Sequence, residues 1–207
     1  MKSLENHWNA IFSNTDDEKL GWYEKDFSAT LALLRLIPED ELKHVFIPGV
    51  GTSSLVEMLL NRGLRLTLND ISTQALEKIR ERTVAQRQRI RYLCHDIARP
   101  LPAETGSADL WLDRAVLHFL TAGEMVEGYF ANVDRIVRPG GYVLLAQFSK
   151  KGAARCAGLD VRRYALGDFE KYLPAYKVLA SREHTYYNPS GEARPYIYAL
   201  FRKGRLL

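Results

Sequence analysis

The sequence has few cysteines, no long apolar run and no block of one charge. Only two of its 207 residues are cysteine, Cys94 and Cys156, and no Cys-x-x-Cys pair occurs, which argues against a disulfide framework and against a zinc or dithiol site. No stretch approaches the roughly 20 consecutive apolar residues of a membrane span. The segment Met1–Trp8 carries acidic and polar groups where a signal peptide would be apolar. We therefore predict a cytoplasmic protein with reduced thiols and no membrane partner.

The two signs of charge are nearly balanced. The chain has 29 Lys and Arg against 25 Asp and Glu and a pI near 9.0, and the basic residues of 78–91 are interleaved with Glu and Gln. Such interleaving is typical of a solvated helix face rather than of a nucleic-acid surface. The length and the 46% hydrophobic content suit a single domain over residues 1–207. Nucleic acid is therefore a disfavoured partner, and the oligomeric state is left open.

The hydrophobic pattern predicts an α/β fold. From about residue 44, short apolar runs alternate with segments of helical period, which is typical of parallel strands joined by crossover helices. Ser72 is expected to cap the helix after the second strand, and Thr121 with Glu124 to form a capping box before a later helix. The five predicted parallel strands are 44–47, 64–68, 90–94, 108–112 and 142–146.

The remaining segments are predicted to cover and close this core. Residues 1–40 are expected to form covering helices, and residues 41–207 the core. Polar residues and glycines predict a loop over 150–163. Strands near 176–180 and 196–201 are expected to form a closing hairpin.

A glycine-rich turn follows the first predicted strand. Gly49-Val50-Gly51 precedes a helix, so backbone amides are exposed and a ligand can approach closely. A dinucleotide fingerprint would need a third glycine at the position of Ser54, and no Gly-Lys-Ser/Thr follows for a Walker loop. The turn therefore predicts a nucleoside cofactor that lacks a pyrophosphate.

Two carboxylates end the second and third predicted strands. Asp70 lies 19 residues after Gly51, where a carboxylate can accept hydrogen bonds from both ribose hydroxyls. Asp96 is placed to accept from an adenine amino group while Ile97 packs on the ring. The alternatives are a surface turn residue at Asp70 and a loop cap at Asp96. Because ligands of open α/β sheets bind at the carboxyl ends of the strands, we favour a cofactor site.

With these features the sequence resembles the class I S-adenosylmethionine-dependent methyltransferases over nearly the whole chain. The residues that carry the resemblance are Phe46–Leu55, Leu68–Ser72, Asp96-Ile97 and Ile136–Gly141. More narrowly, the chain is similar to a group of small bacterial methyltransferases through His7-Trp8, Gly21–Tyr23, Asp113–Thr121, Arg155–Leu159 and Arg163-Tyr164.

The resemblance implies a fold and a cofactor site. The fold is a Rossmann-like three-layer sandwich, whose seven-stranded, mostly parallel sheet has an antiparallel last strand. The implied cofactor is S-adenosyl-L-methionine. The residues expected to bind it are Gly49, Gly51, Thr52, Ser54, Asp70, Ile71, Asp96, Ile97, Asp113 and Trp22.

One position departs from the pattern of that family. Methyltransferases of this class usually carry Asp or Glu two residues before the first turn glycine, and this chain has Ile47 there, followed by Pro48. The missing carboxylate normally helps to hold the methionine end of the cofactor or orders nearby turns. The departure predicts weak cofactor affinity or loss of activity.

Methyl transfer needs alignment and, for an acidic nucleophile, a base, but no metal. The resemblance places the transferable methyl group just past the fourth strand, where the chain has Asp113 and Arg114. His118 follows shortly after, and a histidine can take a proton near neutral pH. His118, Asp113 and Arg114 are therefore the catalytic candidates. The alternative for His118 is a half-buried residue within an apolar segment.

Aromatic and thiol side chains are further candidates for the substrate site. Trp22 and Tyr23 can place an aromatic face near a sulfonium, or they can form an amphipathic lid packed on the core. Cys156 can overhang the pocket, with Arg155 lowering the pKa of its thiol, or it can be a neutral loop cysteine. The predicted substrate contacts are His118, Cys156 and Tyr23.

The acceptor is predicted to be a small molecule, with a thiol or another soft nucleophile as a candidate. Enzymes that methylate base amino groups carry an Asn/Asp-Pro-Pro-aromatic tetrapeptide after the fourth strand, and this chain has Asp113–Val116 there. Two alternatives stay open. A protein (lysine) methyltransferase is favoured if short covering segments leave a groove for a lysine side chain. A non-catalytic S-adenosylmethionine-binding protein is favoured by Ile47 and by the absence of an unmistakable base.

Overall fold

A seven-stranded sheet forms the centre of the protein. The structure is a computed structural model that describes residues 4–205. In chain order the strands are β1 (His44–Ile47), β2 (Arg65–Asp70), β3 (Ile90–Cys94), β4 (Ala108–Arg114), β5 (Val137–Phe148), β6 (Arg155–Cys156), β7 (Leu159–Asp160), β8 (Tyr176–Tyr187) and β9 (Ala193–Lys203). The order in the large sheet is β3-β2-β1-β4-β5-β9-β8, and β9 runs antiparallel to both of its neighbours. The other pairs are parallel. The predicted sheet, with its antiparallel last strand, is confirmed.

The middle strands are apolar because helices cover both of their faces. Phe46 of β1 lies opposite Trp111 of β4, and the two rings stack with centroids 4.5 Å apart. The residues next to them, Val45 and Leu110, point into the other layer of the core. Strands buried on both faces are expected to be continuously apolar, and this is why short apolar runs predicted them.

The α-helices form a layer on each face of the sheet. Those in the described part of the chain are α1 (Glu5–Asn14), α2 (Ser28–Leu34), α3 (Leu55–Asn61), α4 (Thr73–Arg82), α5 (Gly123–Ile136) and α6 (Leu166–Glu170). α2, α3 and α4 bury apolar side chains on one face, and α5 and α6 on the other. The predicted three-layer sandwich is therefore confirmed. Between residues 4 and 205, no helix is long and apolar enough to cross a membrane.

One helix cap was predicted correctly and one was not. The Ser72 hydroxyl oxygen accepts a hydrogen bond from the Ala75 amide at 3.2 Å and caps α4, as expected. The capping box of Thr121 and Glu124 was wrong. Helix α5 begins at Gly123, with Ala122 as its N-cap and no side-chain cap. Because the helix starts one residue later than predicted, the spacing that the box requires is lost.

Two segments near the end of the chain are more regular than predicted. The segment 150–163, expected to be a loop, contains the short antiparallel hairpin of β6 and β7. The closing hairpin of β8 and β9 was predicted, but its strands are longer than the apolar runs that predicted them. In its turn, the Asn188 side-chain oxygen accepts from the Glu192 amide at 2.8 Å. This bond closes the turn between the two strands.

Candidate active site

A large cavity lies where four parallel strands end. Its volume is about 980 Å³, within the range of small-molecule and cofactor pockets, and it is lined from the carboxyl ends of β1 to β4. Ligands of open α/β sheets bind at this edge. A set of aromatic side chains, which we call the roof, lines it from α1 and nearby loops. The roof consists of Trp8, Phe12, Trp22, Tyr23 and Phe119.

The glycine turn lies beneath the roof, and its backbone conformation requires glycine. Gly49 and Gly51 have φ of +47° and +54°, in the left-handed region. A Cβ on Gly49 would overlap the Val116 side chain, and one on Gly51 would lie 3.2 Å from Cζ of Phe12. The turn therefore presents bare backbone to the cavity. Thr52 and Ser54 continue the lining, as the sequence predicted.

Asp70 joins the end of β2 to this turn. Its Oδ2 accepts from the Gly51 amide and its Oδ1 from the Ser72 amide, each at 2.8 Å. Burial raises the pKa of the carboxyl to about 6. The Ile71 amide also stabilises the charged carboxylate, and three backbone donors leave room for a further donor among its roughly four lone-pair positions. A ligand hydroxyl would supply that donor.

The end of β3 places a second carboxylate beside an apolar wall. Asp96 Oδ1 accepts from the Ala98 amide at 2.9 Å, and Asp96 and the buried Ile97 both line the cavity. Ile71 lines it as well, from the neighbouring strand end. The predicted cofactor residues at the ends of β2 and β3 are thus brought together, although their roles stay predictions.

The roof residues form one aromatic cluster. The ring of Trp8 lies 4.8 Å from that of Phe119 and 5.6 Å from that of Trp22, both edge to face. The rings of Phe12 and Trp22 lie 6.1 Å apart. Trp22 and Tyr23 were predicted to lie here, whereas Phe12 and Phe119 were not. Both phenylalanines are far from the glycine turn in sequence, and no motif links them to it. Aromatic faces of this kind favour a positively charged ligand group.

Asp113 and Arg114 point to opposite faces of the sheet. Arg114 lines the cavity, but Asp113 does not and is fully buried. Asp113 accepts from the amides of Val116 and Leu117 and from the Tyr129 hydroxyl, and burial raises the pKa of its carboxyl to about 6. The predicted cofactor and catalytic contacts of Asp113 are therefore corrected to a buried hydrogen-bonding role. β4 runs to Arg114, so strand alternation separates the two side chains.

His118 is also absent from the cavity lining. Its ring is fully buried and stacks on Phe148 with centroids 4.6 Å apart and planes 3° from parallel. Burial, with a smaller contribution from Arg114, lowers the pKa of the imidazole to about 3. The prediction of His118 as a base or substrate contact was wrong in its placement, because the short helical turn of 117–119 directs the ring into the core.

Cys156 lies away from the cavity lining. It sits in β6, packs against the core, and burial raises the pKa of its thiol. Arg155 pairs instead with Asp160, 3.2 Å away across the hairpin. The expected lowering of the thiol pKa by Arg155 was therefore wrong, and the thiol is a half-buried packing group.

Glu24 is a cavity residue that the sequence did not single out. It is 6% exposed, and its Oε2 lies 2.7 Å from Arg114 Nε. Arg114 Nη1 also donates to the Trp22 carbonyl oxygen at 3.0 Å. Burial raises the pKa of Glu24 to about 7, although Arg114 opposes the shift. The sequence around Glu24 did not predict this position, because its partner Arg114 lies far along the chain on β4.

The lining fits a nucleoside cofactor that carries a positive sulfur. The bare backbone at Gly51 leaves room for its methionine part, and the desolvated Asp70 carboxylate suits its ribose. The aromatic roof suits its sulfonium. Thr52 and Ser54 lie along the same wall. Across residues 4–205, no three His, Cys, Asp or Glu side chains are grouped so that they could hold a metal ion.

Part of the sequence is similar to a known protein family. Residues 47–145 match a family model described as a methyltransferase domain. This segment runs from the end of β1 into β5 and contains the glycine turn, Asp70, Asp96 and Arg114. Among curated proteins, none matches the sequence.

Solved structures share the fold over nearly the whole chain. An S-adenosylmethionine-dependent methyltransferase from Anabaena variabilis is 18% identical, with a TM-score of 0.76 over 96% of this chain and 93% of that one. A protein solved in work on the conversion of a disulfide bond into a thioacetal group during echinomycin biosynthesis is 17% identical, with a TM-score of 0.75 over 97% and 93%. The 1,6-didemethyltoxoflavin N1-methyltransferase of Burkholderia thailandensis, solved with 1,6-didemethyltoxoflavin and S-adenosylhomocysteine, is 16% identical, with a TM-score of 0.69 over 97% and 84%. The chain thus contains a segment similar to a methyltransferase domain, and it has the fold of S-adenosylmethionine-dependent methyltransferases.

Proposed function

We propose that the protein transfers a methyl group from S-adenosylmethionine to a small-molecule nucleophile, and that a thiol or another soft nucleophile is the acceptor. The observation that carries this proposal is the shape of the cavity. One space of about 980 Å³ extends from the carboxylates of β2 and β3 to Arg114 and Glu24, beneath the roof. Such a space holds a nucleoside and a small acceptor side by side.

The cofactor half of the cavity is assigned from the strand ends. Asp70 accepts hydrogen bonds from the ribose hydroxyls, and Asp96 accepts from the adenine amino group while Ile71 and Ile97 pack on the ring. Thr52 and Ser54 lie beside the methionine part, close to the bare backbone of the turn. When bound, S-adenosylmethionine supplies a methyl group on a positively charged sulfur. Trp22 and the other roof aromatics stabilise that charge.

The roof supports a small acceptor rather than a polymer. Trp8, Phe12 and Trp22 pack against one another above the glycine turn, so the chain itself occupies the approach that a protein or nucleic-acid substrate would need. The structural relative from Burkholderia thailandensis acts on a small molecule, and the relative from echinomycin biosynthesis was solved in work on sulfur chemistry. Both likenesses support the proposal.

The chain's contribution to the reaction is mainly positioning. Methyl transfer is an in-line displacement, so the acceptor must be held opposite the departing sulfur and away from water. Arg114 and Glu24 form the polar end of an otherwise aromatic wall. We assign the acceptor to that end, with Tyr23 beside it.

The test begins with calorimetric titration by S-adenosylmethionine, by S-adenosylhomocysteine and by NAD. We expect the first two to bind and NAD not to bind. Methyl-labelled S-adenosylmethionine is then supplied with a panel of thiols, phenols and amines, and separately with cell extract. Label in a low-mass product supports the proposal. Label in a protein band would favour a protein methyltransferase, and binding without transfer to any acceptor would favour a non-catalytic role.

A further inference from the structure

Glu24 is a buried carboxylate with unfilled hydrogen-bonding capacity in the cavity wall. Its exposed fraction is 6%, and within the described chain neither Oε1 nor Oε2 accepts a hydrogen bond. Arg114 lies within ion-pair distance, but Nε and Nη2 of its guanidinium also lack a hydrogen-bond acceptor among residues 4–205. Buried polar groups are rarely left unsatisfied in this way. The unfilled positions therefore mark where a bound molecule with a donor group would sit.

The charged and titratable groups around Glu24 come from three other parts of the fold. Arg114 of β4 favours the ionised carboxylate, and Asp26 on the same loop opposes it more weakly. Tyr186 of β8 and Tyr196 of β9 stack on the guanidinium at 4.9 and 5.3 Å. Tyr198 of β9 is also close. None of these neighbours is a carboxylate able to replace Glu24 at the cavity wall.

The acid and base candidates named from the sequence lie elsewhere, and the cavity-lining Glu5, His95 and Glu124 lie on α1, after β3 and on α5 rather than beside β4. Asp113 points to the opposite face of the sheet, and His118 is stacked in the core. Asp70 and Asp96 lie at the ends of β2 and β3, where the nucleoside is assigned. Glu24 is beside β4, the strand end at which we place the acceptor.

We propose that Glu24 is the catalytic base, which takes the proton that the acceptor loses during methyl transfer, and that Arg114 is the positioning residue that holds its carboxylate. This inference rests on the proposed function. The acceptor's lone pair forms the new bond to the methyl carbon, and the carbon–sulfur bond breaks with its electron pair staying on sulfur. The acceptor's proton passes to an Oε atom of Glu24 and leaves to solvent with the products.

The acceptor class narrows accordingly. An ionised acceptor has no proton for a base to take, so a role for Glu24 as base implies an acceptor that is still protonated when it binds. Among soft nucleophiles an alkyl thiol satisfies this, since its pKa lies near that of free cysteine, about 8.5. Burial raises the pKa of Glu24 to about 7, so the carboxylate is ionised at slightly alkaline pH.

The experiment compares Glu24→Gln with wild type on two acceptors, 2-mercaptoethanol and thiophenol. At about pH 8 the aromatic thiol is mostly ionised and the alkyl thiol is mostly protonated. Losing a base typically lowers the rate about 10²–10⁴-fold, so we expect a drop of that size with 2-mercaptoethanol and less than about tenfold with thiophenol. Equal drops on both thiols, or no drop, would overturn the inference. Glu18→Gln, on an exposed turn of the same N-terminal segment, is the matched control.

A second variant controls for misfolding of Glu24→Gln, and a second measurement tests the inference if the acceptor is not a thiol. Glu24→Asp keeps the charge beside Arg114, and we expect it to restore part of the alkyl-thiol rate that Glu24→Gln loses. Tryptophan emission, to which the nearby Trp22 contributes, should titrate near pH 7 in wild type and not in Glu24→Gln. If wild type binds S-adenosylmethionine but methylates neither thiol, the thiol form of the proposed function fails. The emission titration then becomes the test of the inference. If the titration near pH 7 persists in Glu24→Gln, the assignment of Glu24 as the base is overturned.

Discussion

The Tyr129 hydroxyl donates a hydrogen bond of 2.6 Å to Oδ2 of Asp113, and its oxygen accepts from Trp111 Nε1 at 2.8 Å. All three side chains are fully buried, in the layer between the sheet and α5. Asp113 also holds the amides of Val116 and Leu117. This bonding fixes the chain just after β4, on the far side of the sheet from the cavity face of Arg114.

Tyr129→Phe should therefore destabilise the protein without weakening cofactor binding. Removing the hydroxyl leaves a buried carboxylate and an indole N–H each short of a partner, which costs about 1–3 kcal/mol. Urea denaturation measures this cost, and calorimetry with S-adenosylhomocysteine measures binding. Tyr172→Phe, a stacking tyrosine on the same face, is the matched control. Loss of affinity without loss of stability would return Asp113 to the cofactor site.

His118→Phe should change how stability depends on pH. Burial lowers the pKa of His118 to about 3 in the folded protein, against about 6.5 when unfolded. The unfolded chain therefore binds the extra proton between these values, and wild type loses about 1.4 kcal/mol of stability per pH unit as the pH falls below 6.5. Relative to its value at about pH 7.5, wild type should lose about 2 kcal/mol more than His118→Phe at about pH 5. Parallel urea curves for the two proteins across this range would contradict the buried neutral imidazole.

Gly49→Ala should be severely destabilising, and Val116→Ala should partly rescue it. The new methyl group meets the Val116 side chain, and the positive φ adds about 1–2 kcal/mol for any residue with a Cβ. Trimming Val116 removes the clash but not the backbone strain. The double variant should thus lose about 1–2 kcal/mol relative to Val116→Ala alone. Equal costs of Gly49→Ala in both backgrounds would show that Val116 is not the obstacle.

Asp70→Asn should weaken S-adenosylmethionine binding about 10–100-fold, the size of a lost hydrogen bond to a charged group. The amide keeps a single acceptor oxygen, so either Gly51 or Ser72 loses its partner, and urea denaturation must show that the variant still folds. Because burial raises the pKa of Asp70 to about 6, wild-type affinity should fall as the pH drops below 6, whereas the affinity of the variant should change less. Calorimetry across this pH range tests both points, with the exposed Asp40→Asn as control. Unchanged affinity of Asp70→Asn would contradict the ribose assignment.

The strand ends could be predicted from sequence because their signals are local. The apolar run before Gly49 and the polar residues Asp70 and Asp96 each follow directly from where a strand stops. Parallel strands then bring these residues to one edge without further information. Ile47 shows the limit of such a pattern. It is buried beneath the cavity, so its effect on affinity stays a prediction that the cofactor titration will decide.

The polar end of the cavity at Arg114 and Glu24 could not be predicted, because it depends on strand length and on distant contacts. The apolar run of the fourth strand stops at Leu112, but pairing with β5 continues to Arg114. That extension decides that Arg114 and not Asp113 faces the cavity. The partner of Arg114 is Glu24, which lies on a loop far earlier in the chain. Neither residue's own surroundings in the sequence specify this pairing.

The roof is contributed largely by α1 and the loop that follows it, whereas the sheet begins only at His44. Trp8, Phe12 and Tyr23 take no part in strand pairing, so their replacement leaves the hydrogen-bond ladder of the sheet intact. Under the proposed function, we expect acceptor preference to diverge between related proteins through changes in this one short stretch of chain. If that expectation holds, grafting this stretch between homologues will change the methyl acceptor while the sheet is kept.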